Sequence, residues 1–526
     1  MQPFICMNLL EKLLSHYNLS LEEYEYLSRP IEEVKLIDSN SIGIMPKITE
    51  RIFKAIKNKE KIIVYGDYDC DGISATTIMV KTFELLNYPV SYYIPSRYLD
   101  GYGLNVVNTE KIAAKGFNLI IAVDNGVSAF EAIDLANEKG MDVIVVDHHE
   151  LPEKDVNAYA ILHPIHSKVN EVVASAGHMA LYLSSALLNH YEPYLVTIAG
   201  LSVISDLMEL KDYNRDVVRL AINNLKKYRF EALTNLMDNE QISELTLGLD
   251  IAPKINAVGR LVTDTSINRL VKYLTTENTI ERSSLLSWIL KLNDERKELT
   301  RLASENIDKE IDTNEAGIVA ISDMKEGLIG LIANRLLSIH NKPTCLFTYE
   351  TNNKEVLKGS MRSKNGFNVM DIINMNQDIL LSGGGHSSAG GVSINIKDFD
   401  LFKQRFNEYA STHPLVDETK GEIEIGLNDV TMENYEIVNS FSPFGMGFKE
   451  PEFVIKHIST RSMQFISFGK HISEPLSMNS KLLGFNMPRD EVQVNPYIDL
   501  FGKFNLNIFR GRATLEFRIA KYVKSE

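Results

Sequence analysis

The segment Tyr65-Gly66-Asp67-Tyr68-Asp69-Cys70-Asp71-Gly72 decides the fold of this chain and points to its chemistry. It follows directly on an apolar run typical of a buried strand, and it forms a tight loop that opens a helix. Its three carboxylates stand on alternate residues, so they repel one another unless a cation lies among them. The segment therefore predicts a cation-binding loop at the carboxyl end of a strand.

Short apolar runs and helical spacing alternate around this loop. Strand patterns are found at Lys61–Tyr65, Val90–Ile94, Asn118–Val123 and Asp142–Val146. Helical patterns are found at Ile73–Leu86 and Ser128–Glu138. Alternation on this scale predicts a parallel, doubly wound α/β sheet, in which ligands gather at the carboxyl ends of the strands.

Two more predicted strands end in acidic residues, one of them with histidines. The third strand ends in Val123-Asp124-Asn125-Gly126 and the fourth in Val146-Asp147-His148-His149-Glu150. A lone Asp after a strand is more often a turn or cap residue, but three consecutive strand ends with Asp or His predict one shared site. Asp206 follows a further apolar segment, and by itself it would be interpreted as a helix cap.

The residue types in this set indicate which ions it would bind. Carboxylates with one imidazole suit Mn²⁺ or Mg²⁺ better than zinc. An EF-hand calcium loop also begins Asp-x-Asp-x-Asp-Gly, but Ile78 replaces its bidentate Glu and a strand precedes the loop. Two ions about 3.5–4 Å apart can generate hydroxide and hold the entering and leaving oxygens of a displacement at phosphorus. The set therefore predicts hydrolysis of a phosphoryl ester.

The rest of the chain divides into three further parts. Ile280–Ile311 has charged residues and leucines without Gly or Pro, which predicts a long connecting helix. A second, smaller α/β domain is expected after it, with strands at Gly317–Ser322, Thr344–Thr348, Gly359–Met361 and Val392–Ile396, and helices at Leu328–Ile339 and Phe399–Thr412. Short strands at Glu422–Ile425, Glu452–Ile455, Tyr497–Phe504 and Thr514–Ile519 then favour a small β-barrel of the oligonucleotide-binding (OB) fold.

Composition limits the class of protein. The chain has 526 residues, 44% of them hydrophobic and 24% charged, as expected for a globular protein of several domains. Its net charge of −15 is unusual for a nucleic-acid enzyme, although bound divalent ions would offset acidic residues at a scissile phosphate.

Cysteine usage and hydropathy suggest where the chain works. Cys6, Cys70 and Cys345 are widely spaced, which argues against a disulfide framework or a zinc site and predicts a cytoplasmic protein. Met1–Leu14 is typical of a short amphipathic helix rather than a signal peptide. No apolar run reaches the roughly 20 residues that span a bilayer, so we expect no membrane partner.

The acidic motifs, taken in chain order, resemble those of a known superfamily. Asp67-Tyr68-Asp69-Cys70-Asp71-Gly72, Asp124, Asp147-His148-His149 and Asp206 resemble the first four motifs of the DHH phosphoesterases. Further segments resemble the RecJ-like single-stranded-DNA-specific exonucleases: Ile94–Arg97 with Gly101–Gly103, Ala252–Arg260, Gly359–Ser363, Gly383–Gly391, and Pro443–Gly447 with Glu450-Pro451. The resemblance covers the chain from roughly Tyr65 to the C-terminus and implies a DHH catalytic domain at 61–277, a connecting helix at 278–312, a DHH-associated domain at 313–415 and an OB domain at 416–526. The first sixty residues contribute little to it and are expected to form an N-terminal helical extension at 1–60.

The resemblance also implies roles for individual residues. It implies two ions, Mn²⁺ or Mg²⁺, the first held by Asp67, Asp69 and Asp124 and the second by Asp71, Asp124, His148 and Asp206, with Asp124 bridging. Asp147 would orient His148, and His149 would meet the phosphate or the leaving oxygen, so Asp124, His148 and His149 are the expected catalytic residues. Substrate contacts are expected from Arg97, Tyr102, Asn256, Arg260, Ser360, Arg362 and His386.

Two of these expectations have simpler alternatives. Tyr102 would stack on a base, but a Tyr between glycines is also common in turns. The Gly-rich stretch Gly383–Gly391 would bring backbone N–H groups close to a phosphate beside His386, but it is also typical of a flexible loop.

Three positions depart from the family pattern. Cys70 replaces a usual Ala, which its small size should allow. Lys254 replaces an Arg, which loses a planar bidentate phosphate contact. His178 stands where the family usually has an apolar residue, and we expect it to be a structural histidine rather than a catalytic one.

The function implied by the resemblance is 5′ to 3′ exonucleolytic hydrolysis of single-stranded DNA to 5′-mononucleotides in DNA repair or recombination. It also implies a monomer that works with a single-strand-binding protein or a helicase. One alternative is a DHH phosphodiesterase for short oligonucleotides or cyclic dinucleotides, which usually lacks the C-terminal barrel. A second is a non-catalytic replication scaffold, which would have lost ligands that this chain retains, and a pyrophosphatase is disfavoured by the length.

Overall fold

The computed structural model describes residues 8–167, 173–312, 314–351, 353–416, 422–509 and 512–525. The chain forms two compact units, one made of Leu36–Glu418 and the other of Met1–Lys35 together with Thr419–Glu526. The first half of the amphipathic helix predicted at Met1–Leu14 and the cysteine Cys6 lie outside the described residues. None of the described helices is long and apolar enough to cross a bilayer.

Two capped helices, α1 (Leu9–Tyr17) and α2 (Leu21–Ser28), begin the chain. Each starts with a capping box, in which the side chain of Asn8 or Ser20 accepts a hydrogen bond from a backbone N–H of the first turn. Leu9 and Leu13 of α1 lie in the same apolar core as Phe453 of the C-terminal region. These helices therefore complete the smaller unit.

A five-stranded parallel sheet organises the first part of the larger unit, and this confirms the predicted doubly wound architecture. Its strands are paired in the order β2-β1-β3-β4-β5, and β1 and β3 to β5 are almost entirely buried, as expected for a sheet covered on both faces. The strands are β1 (Ile62–Tyr65), β2 (Ser91–Tyr93), β3 (Leu119–Val123), β4 (Asp142–Val146) and β5 (Ala160–Leu162). The short β5 was not predicted.

Helices cover both faces of this sheet. The helices of this part are α3 (Met45–Asn58), α4 (Cys70–Leu85), α5 (Val106–Ala114), α6 (Phe130–Glu138), α7 (Pro164–Ser167), α8 (Ala176–Leu188), α9 (Pro193–Ser205), α10 (Asp212–Tyr228), α11 (Glu231–Thr234), α12 (Ala252–Leu261) and α13 (Arg269–Thr275). Of these, α3, α4, α6, α7 and α8 contact the strands of the sheet, and other helices pack on them in turn. α4 is buried on nearly all sides, because α8 and α9 pack against it. Its first turn therefore stays fixed beside the ends of the strands.

A single long helix, α14 (Thr279–Glu310), follows, as predicted. The side chain of Asn278 caps it by accepting hydrogen bonds from the backbone N–H groups of Ile280 and Glu281. Its apolar residues join a core with Leu261 of α12.

The second α/β domain contains a mixed sheet in the order β6-β7-β8-β10-β9. Its strands are β6 (Ile318–Ile321), β7 (Thr344–Glu350), β8 (Asn353–Arg362), β9 (Leu380–Gly385) and β10 (Ala389–Asn395), and its helices are α15 (Glu326–His340), α16 (Val369–Met375) and α17 (Phe399–Thr412). The Gly-rich stretch Gly383–Gly391 is therefore a β-hairpin and not a flexible loop. Glycines in it pair across the two strands, with Gly384 opposite Gly391.

The C-terminal region forms a seven-stranded sheet in the order β11-β12-β16-β17-β15-β14-β13. The strands are β11 (Ile423–Glu424), β12 (Phe453–Ser459), β13 (Phe465–Ile466), β14 (His471–Pro475), β15 (Ser480–Gly484), β16 (Tyr497–Phe509) and β17 (Arg512–Lys524), with helices α18 (Met432–Ser440) and α19 (Arg489–Val492). Within the described ranges β11 and β13 stand at opposite ends of this order, so the predicted barrel is not closed by hydrogen bonds.

Candidate metal centre

The loop after β1 places three carboxylates at the amino end of α4. Asp69 is the N-cap of this helix, and its Oδ1 accepts hydrogen bonds from the backbone N–H groups of Asp71 (2.9 Å) and Gly72 (3.0 Å). A Cβ at Gly72 would lie 2.7 Å from the backbone of Asp67, so only glycine allows the loop to close this tightly. The helix amino end stabilises negative charge in this position.

Asp71 is fixed from the opposite side. Its carboxylate accepts hydrogen bonds from the backbone N–H groups of Ala176 and Gly177 (2.8 Å each) at the start of α8, and from the hydroxyl of Ser202. These three donors hold the carboxylate in a single orientation, with the Oδ2 atom 3.4 Å from the Nε2 atom of His148.

Asp124 occupies the centre of the cluster at the end of β3. Its backbone has a φ of 60°, a left-handed conformation that Asp tolerates better than most residues, and its N–H donates to the carbonyl of Val146 (3.0 Å). The side chain is buried, and its Oδ1 atom accepts no hydrogen bond from the described residues. The same holds for Oδ1 of Asp67. Buried carboxylate oxygens without a donor fit a bound cation.

His148 connects the strand-end carboxylates. Its Nε2 atom lies 3.3 Å from Oδ1 of Asp124 and 3.5 Å from Oδ2 of Asp206. Three groups of side chains in the described part of the chain bring one ligand atom each to within 4.8 Å of one another: Asp67, Asp69 and Asp124; Asp71, His148 and Asp206; Asp124, His148 and His149. Asp124 therefore adjoins both of the predicted ligand sets.

The electrostatics of the cluster also favour bound positive charge. Burial raises the pKa of Asp67, Asp71 and Asp124, and the neighbouring carboxylates raise it further. Burial, followed by the charges of Asp71 and Asp69, raises the pKa of Asp206 to about 8. Divalent cations among these groups would reverse this effect, because they stabilise the ionised carboxylates.

Asp147 does not orient the ring of His148, which corrects the expectation from the sequence. Its Oδ1 atom accepts hydrogen bonds from Nδ1 of His149 (2.7 Å) and from the backbone N–H of His148 (2.7 Å). The two histidine rings therefore have different partners: His148 contacts Asp71, Asp124 and Asp206, and His149 contacts Asp147. Burial lowers the pKa of His149, but the hydrogen bond and charge of Asp147 raise it to about 9.

Tyr102 lies at the open side of the cluster. Its hydroxyl is 3.0 Å from Nε2 of His149 and donates to the carbonyl of Asp124 (3.3 Å). The side chain is 50% exposed, so its ring remains accessible to a ligand. Arg97 stacks on Tyr68, with its Cζ atom 4.2 Å from the ring centroid.

The other predicted substrate residues have structural contacts as well. Asn256 accepts a hydrogen bond from the backbone N–H of Cys70 (3.0 Å), which ties α12 to the acidic loop. Arg260 donates through Nη1 to the carbonyl of Gly327 (3.1 Å), and Arg362 donates through Nη1 to the hydroxyl of Ser360 (3.1 Å). His386 lies exposed at the turn of the β9–β10 hairpin, where its backbone N–H donates to the carbonyl of Ala389 (2.7 Å).

The positions that depart from the family pattern are buried. His178 is completely buried in α8, its Nδ1 lies 3.0 Å from Oδ1 of Asn214, and burial lowers its pKa to about 4. Nζ of Lys254 binds the carbonyl of Leu236 and a carboxylate oxygen of Asp238, at 2.8 Å each. The contacts of both residues are structural.

Two residues near the cluster, Asn125 and His163, were missed in the sequence analysis. The side-chain amide of Asn125 donates to the carbonyls of Gly66 (3.2 Å) and Val123 (2.9 Å), and its Oδ1 accepts from the backbone N–H of Leu104 (3.1 Å). Nε2 of His163 lies 2.9 Å from the carbonyl of His149. The Asn-Gly pair at Asn125 signalled a turn, but nothing local indicated that this amide joins three segments.

The fold and the cluster first define the class of this protein. Residues 61–208 match the DHH family, N-terminal domain, and residues 314–412 match the DHHA1 domain. Residues 422–521 match the RecJ OB domain. The chain therefore has the DHH, DHHA1 and RecJ OB domains in this order, and in its domain content it is RecJ-like.

Individual relatives support this assignment. The single-stranded-DNA-specific exonuclease RecJ of Bacillus subtilis is 30% identical over 92% of this chain, and the chain spans 64% of that relative's length. The RecJ of Escherichia coli is 27% identical, with 93% of each protein covered. The fold matches the crystal structure of RecJ in complex with Mn²⁺ from Thermus thermophilus, with a TM-score of 0.84, 21% identity, and coverage of 98% of this chain and 76% of that one.

Proposed function

We propose that this chain is a metal-dependent 5′ to 3′ exonuclease that hydrolyses single-stranded DNA to 5′-mononucleotides. The observation that carries the proposal is the convergence of Asp67, Asp69, Asp71, Asp124, His148 and Asp206 at the carboxyl ends of a DHH-family sheet. The curated RecJ relatives are named single-stranded-DNA-specific exonucleases. The presence of a RecJ OB domain favours this branch over the phosphodiesterases of small substrates.

The donor set fits two Mn²⁺ or Mg²⁺ ions. Asp67, Asp69 and Asp124 would hold one ion, and Asp71, Asp124, His148 and Asp206 the other, because oxygen donors with one imidazole suit these metals. Crystal structures of the Thermus thermophilus RecJ are in complex with Mn²⁺ and with Mg²⁺. When bound, such a pair of ions supplies a nucleophile from water and neutralises charge on the phosphate.

Residues of the chain itself would position and protonate the substrate. The hydrogen bond and charge of Asp147 raise the pKa of His149 and favour its protonated form, so it could donate to a phosphate oxygen or to the leaving oxygen. Arg97, Arg260 and Arg362 would bind phosphates of the strand, with the hydroxyl of Ser360 beside Arg362. The half-exposed ring of Tyr102 would stack on a base without regard to its identity.

The wider setting of the enzyme follows from the same proposal. We propose a monomer that acts in the cytoplasm, in DNA repair or recombination, together with a single-strand-binding protein or a helicase. The buried free thiols of Cys70 and Cys345 are consistent with a reducing compartment.

A substrate panel tests the proposal. The purified chain with MnCl₂ is given a long single strand, a blunt duplex, a linear dinucleotide and a cyclic dinucleotide at equal phosphate concentration. We expect mononucleotides from the long single strand, little product from the duplex, and no product from any substrate in EDTA. Cleavage of the dinucleotides with an inert long strand would instead assign the chain to the small-substrate branch.

A further inference from the structure

The face of α14 that packs toward α12 and α15 includes an arginine, Arg296. Leu292, Leu299, Ala303 and Ile307 of this helix pack in one apolar cluster with Leu261 of α12 and Leu328 of α15. Arg296 comes four residues after Leu292 and three before Leu299, so it lies on the same face of the helix. Arg296 therefore lies on the face of α14 that packs toward the region of α12 and α15.

Three other arginines surround that region. Arg260 immediately precedes Leu261, and its Nη1 donates to the carbonyl of Gly327 at the start of α15 (3.1 Å). Arg362 lies beside the next turn of α15, at Gly330. A Cβ atom built on Gly330 would be 2.7 Å from Nη2 of Arg362. Arg97 adjoins Tyr98, whose hydroxyl donates to the carbonyl of Arg260 (2.6 Å).

Arg296 carries one buried polar atom without a partner in the described part of the chain. Its side chain is half-buried and its Nε atom is buried without a hydrogen-bond partner among the described residues, as is the Nε atom of Arg97. Arg301, further along the same helix, differs from Arg296. It is exposed and forms ion pairs with both Glu298 and Glu305. A buried guanidinium N–H without an acceptor is costly, and an anion at this place would supply the acceptor.

The four guanidinium groups also oppose one another electrostatically. Burial and the charge of Arg97 lower the pKa of Arg260 to about 10, and Arg296 and Arg362 contribute in the same direction. Arginine stays protonated in proteins even so, because its intrinsic pKa is above 12. A bound anion would relieve this repulsion and supply the missing acceptors together.

We propose that Arg296 of α14 is a fourth phosphate-binding guanidinium, which completes an anion site with Arg97, Arg260 and Arg362. The inference rests on the proposed function for the identity of the anion, a phosphate of the DNA strand. Arg296 then contributes to substrate binding from the helix that connects the two α/β domains. The competing structural role is that the aliphatic stem of Arg296 only fills space between the helices.

Thermal unfolding of the full-length chain separates these two roles. The probe is inorganic phosphate, compared with NaCl at equal ionic strength, and the variants are Arg296→Met and the control Arg301→Met on the exposed face. We expect Arg296→Met to raise the Tm in NaCl, because one repelling charge is removed, and to lose at least half of the phosphate-induced rise in Tm. Arg301→Met should keep the full rise. An unchanged phosphate-induced rise in Arg296→Met would overturn the proposal.

A charge-conserving variant covers the case in which Arg296→Met does not fold. Arg296→Lys keeps the charge but loses the planar fork, so we expect a phosphate-induced rise in Tm smaller than that of the wild type. A full rise in this variant would contradict the bidentate role.

In hydrolysis, Arg296→Met should raise KM for the single strand at least tenfold with a smaller change in kcat, and an unchanged KM would count against the site. Because the unfolding measurement needs no turnover, it would stand even if the proposed exonuclease activity were absent.

Discussion

Replacement of Asp206 by Asn should stabilise the metal-free protein and destabilise the metal-loaded one. The pKa of Asp206 is raised from 3.8 to about 8 by burial and by the charges of Asp71 and Asp69. The folded state therefore retains a proton that the unfolded chain releases between these two values. Below pH 3.8 the carboxyl of Asp206 does not lower the free energy of unfolding. As the pH rises from 3.8 toward 8, it lowers the free energy of unfolding by an increasing amount.

The size of the effect follows from the pKa and the exposure of Asp206. At about 1.4 kcal/mol per pKa unit, the unscreened cost at pH 7.5 is about 5 kcal/mol. The side chain is 31% exposed, so solvent screening should reduce this cost to about 2 kcal/mol. With Mn²⁺ at about a hundred times its dissociation constant, loss of the ligand should also remove up to about 2.7 kcal/mol of stabilisation by the metal, so the variant should be less stable than the wild type by roughly 0.7 kcal/mol.

Urea unfolding at pH 5.5 and 7.5, in EDTA and in MnCl₂, measures both effects, with the exposed Asp294→Asn as a control. We expect Asp206→Asn to be more stable than the wild type in EDTA at pH 7.5, with a smaller gain at pH 5.5, and less stable in MnCl₂. A loss of stability in EDTA, or an equal change in both buffers, would refute the reasoning.

Three more predictions concern other residues of the larger unit. Asp124→Ala should reduce hydrolysis at least about a thousandfold, or about 4 kcal/mol, with an unchanged circular dichroism spectrum, and substantial Mn²⁺-dependent activity would exclude a bridging role. Tyr102→Leu should raise KM for single-stranded DNA about 5- to 150-fold, since stacking contributes about 1–3 kcal/mol, whereas Tyr102→Phe should nearly keep the wild-type KM. His178 has a pKa lowered by burial to about 4, so the unfolded state takes up a proton that the folded state does not, and stability should fall by up to about 3 kcal/mol as the pH drops from 6.5 to 4. His178→Gln should flatten this dependence in a series of urea titrations, and an identical slope would contradict the assignment.

Most of the metal centre could be predicted from the sequence, because its acidic residues follow directly on predicted strands. Acidic residues after β1, β3 and β4 had to converge, because parallel strands of one sheet share a carboxyl edge. Asp206 was less certain from the pattern, since its place at the end of α9 resembles a cap. The structure brings its Oδ2 atom to 3.5 Å from His148 because α9 packs against α4.

Features that depend on distant contacts were not visible in the pattern. The packing of Leu13 with the C-terminal core joins residues more than four hundred positions apart in sequence. The burial of Arg296 follows from the packing of α14 against α12, whereas the sequence around it is that of an exposed charged helix. The partner of Asp147 depends on which way two adjacent histidine rings turn, and composition alone does not determine that.

The most direct test of the central claim is the order in which labels leave a long single strand. The strand is labelled separately at its 5′ and 3′ ends and digested with the purified chain in MnCl₂, with EDTA and Asp124→Ala as controls. We predict that the 5′ label is released first, as a mononucleotide, while the 3′ label remains on shortening strands. Release of the 3′ label first, or 5′-labelled fragments longer than a mononucleotide, would contradict a 5′ to 3′ exonuclease that releases mononucleotides.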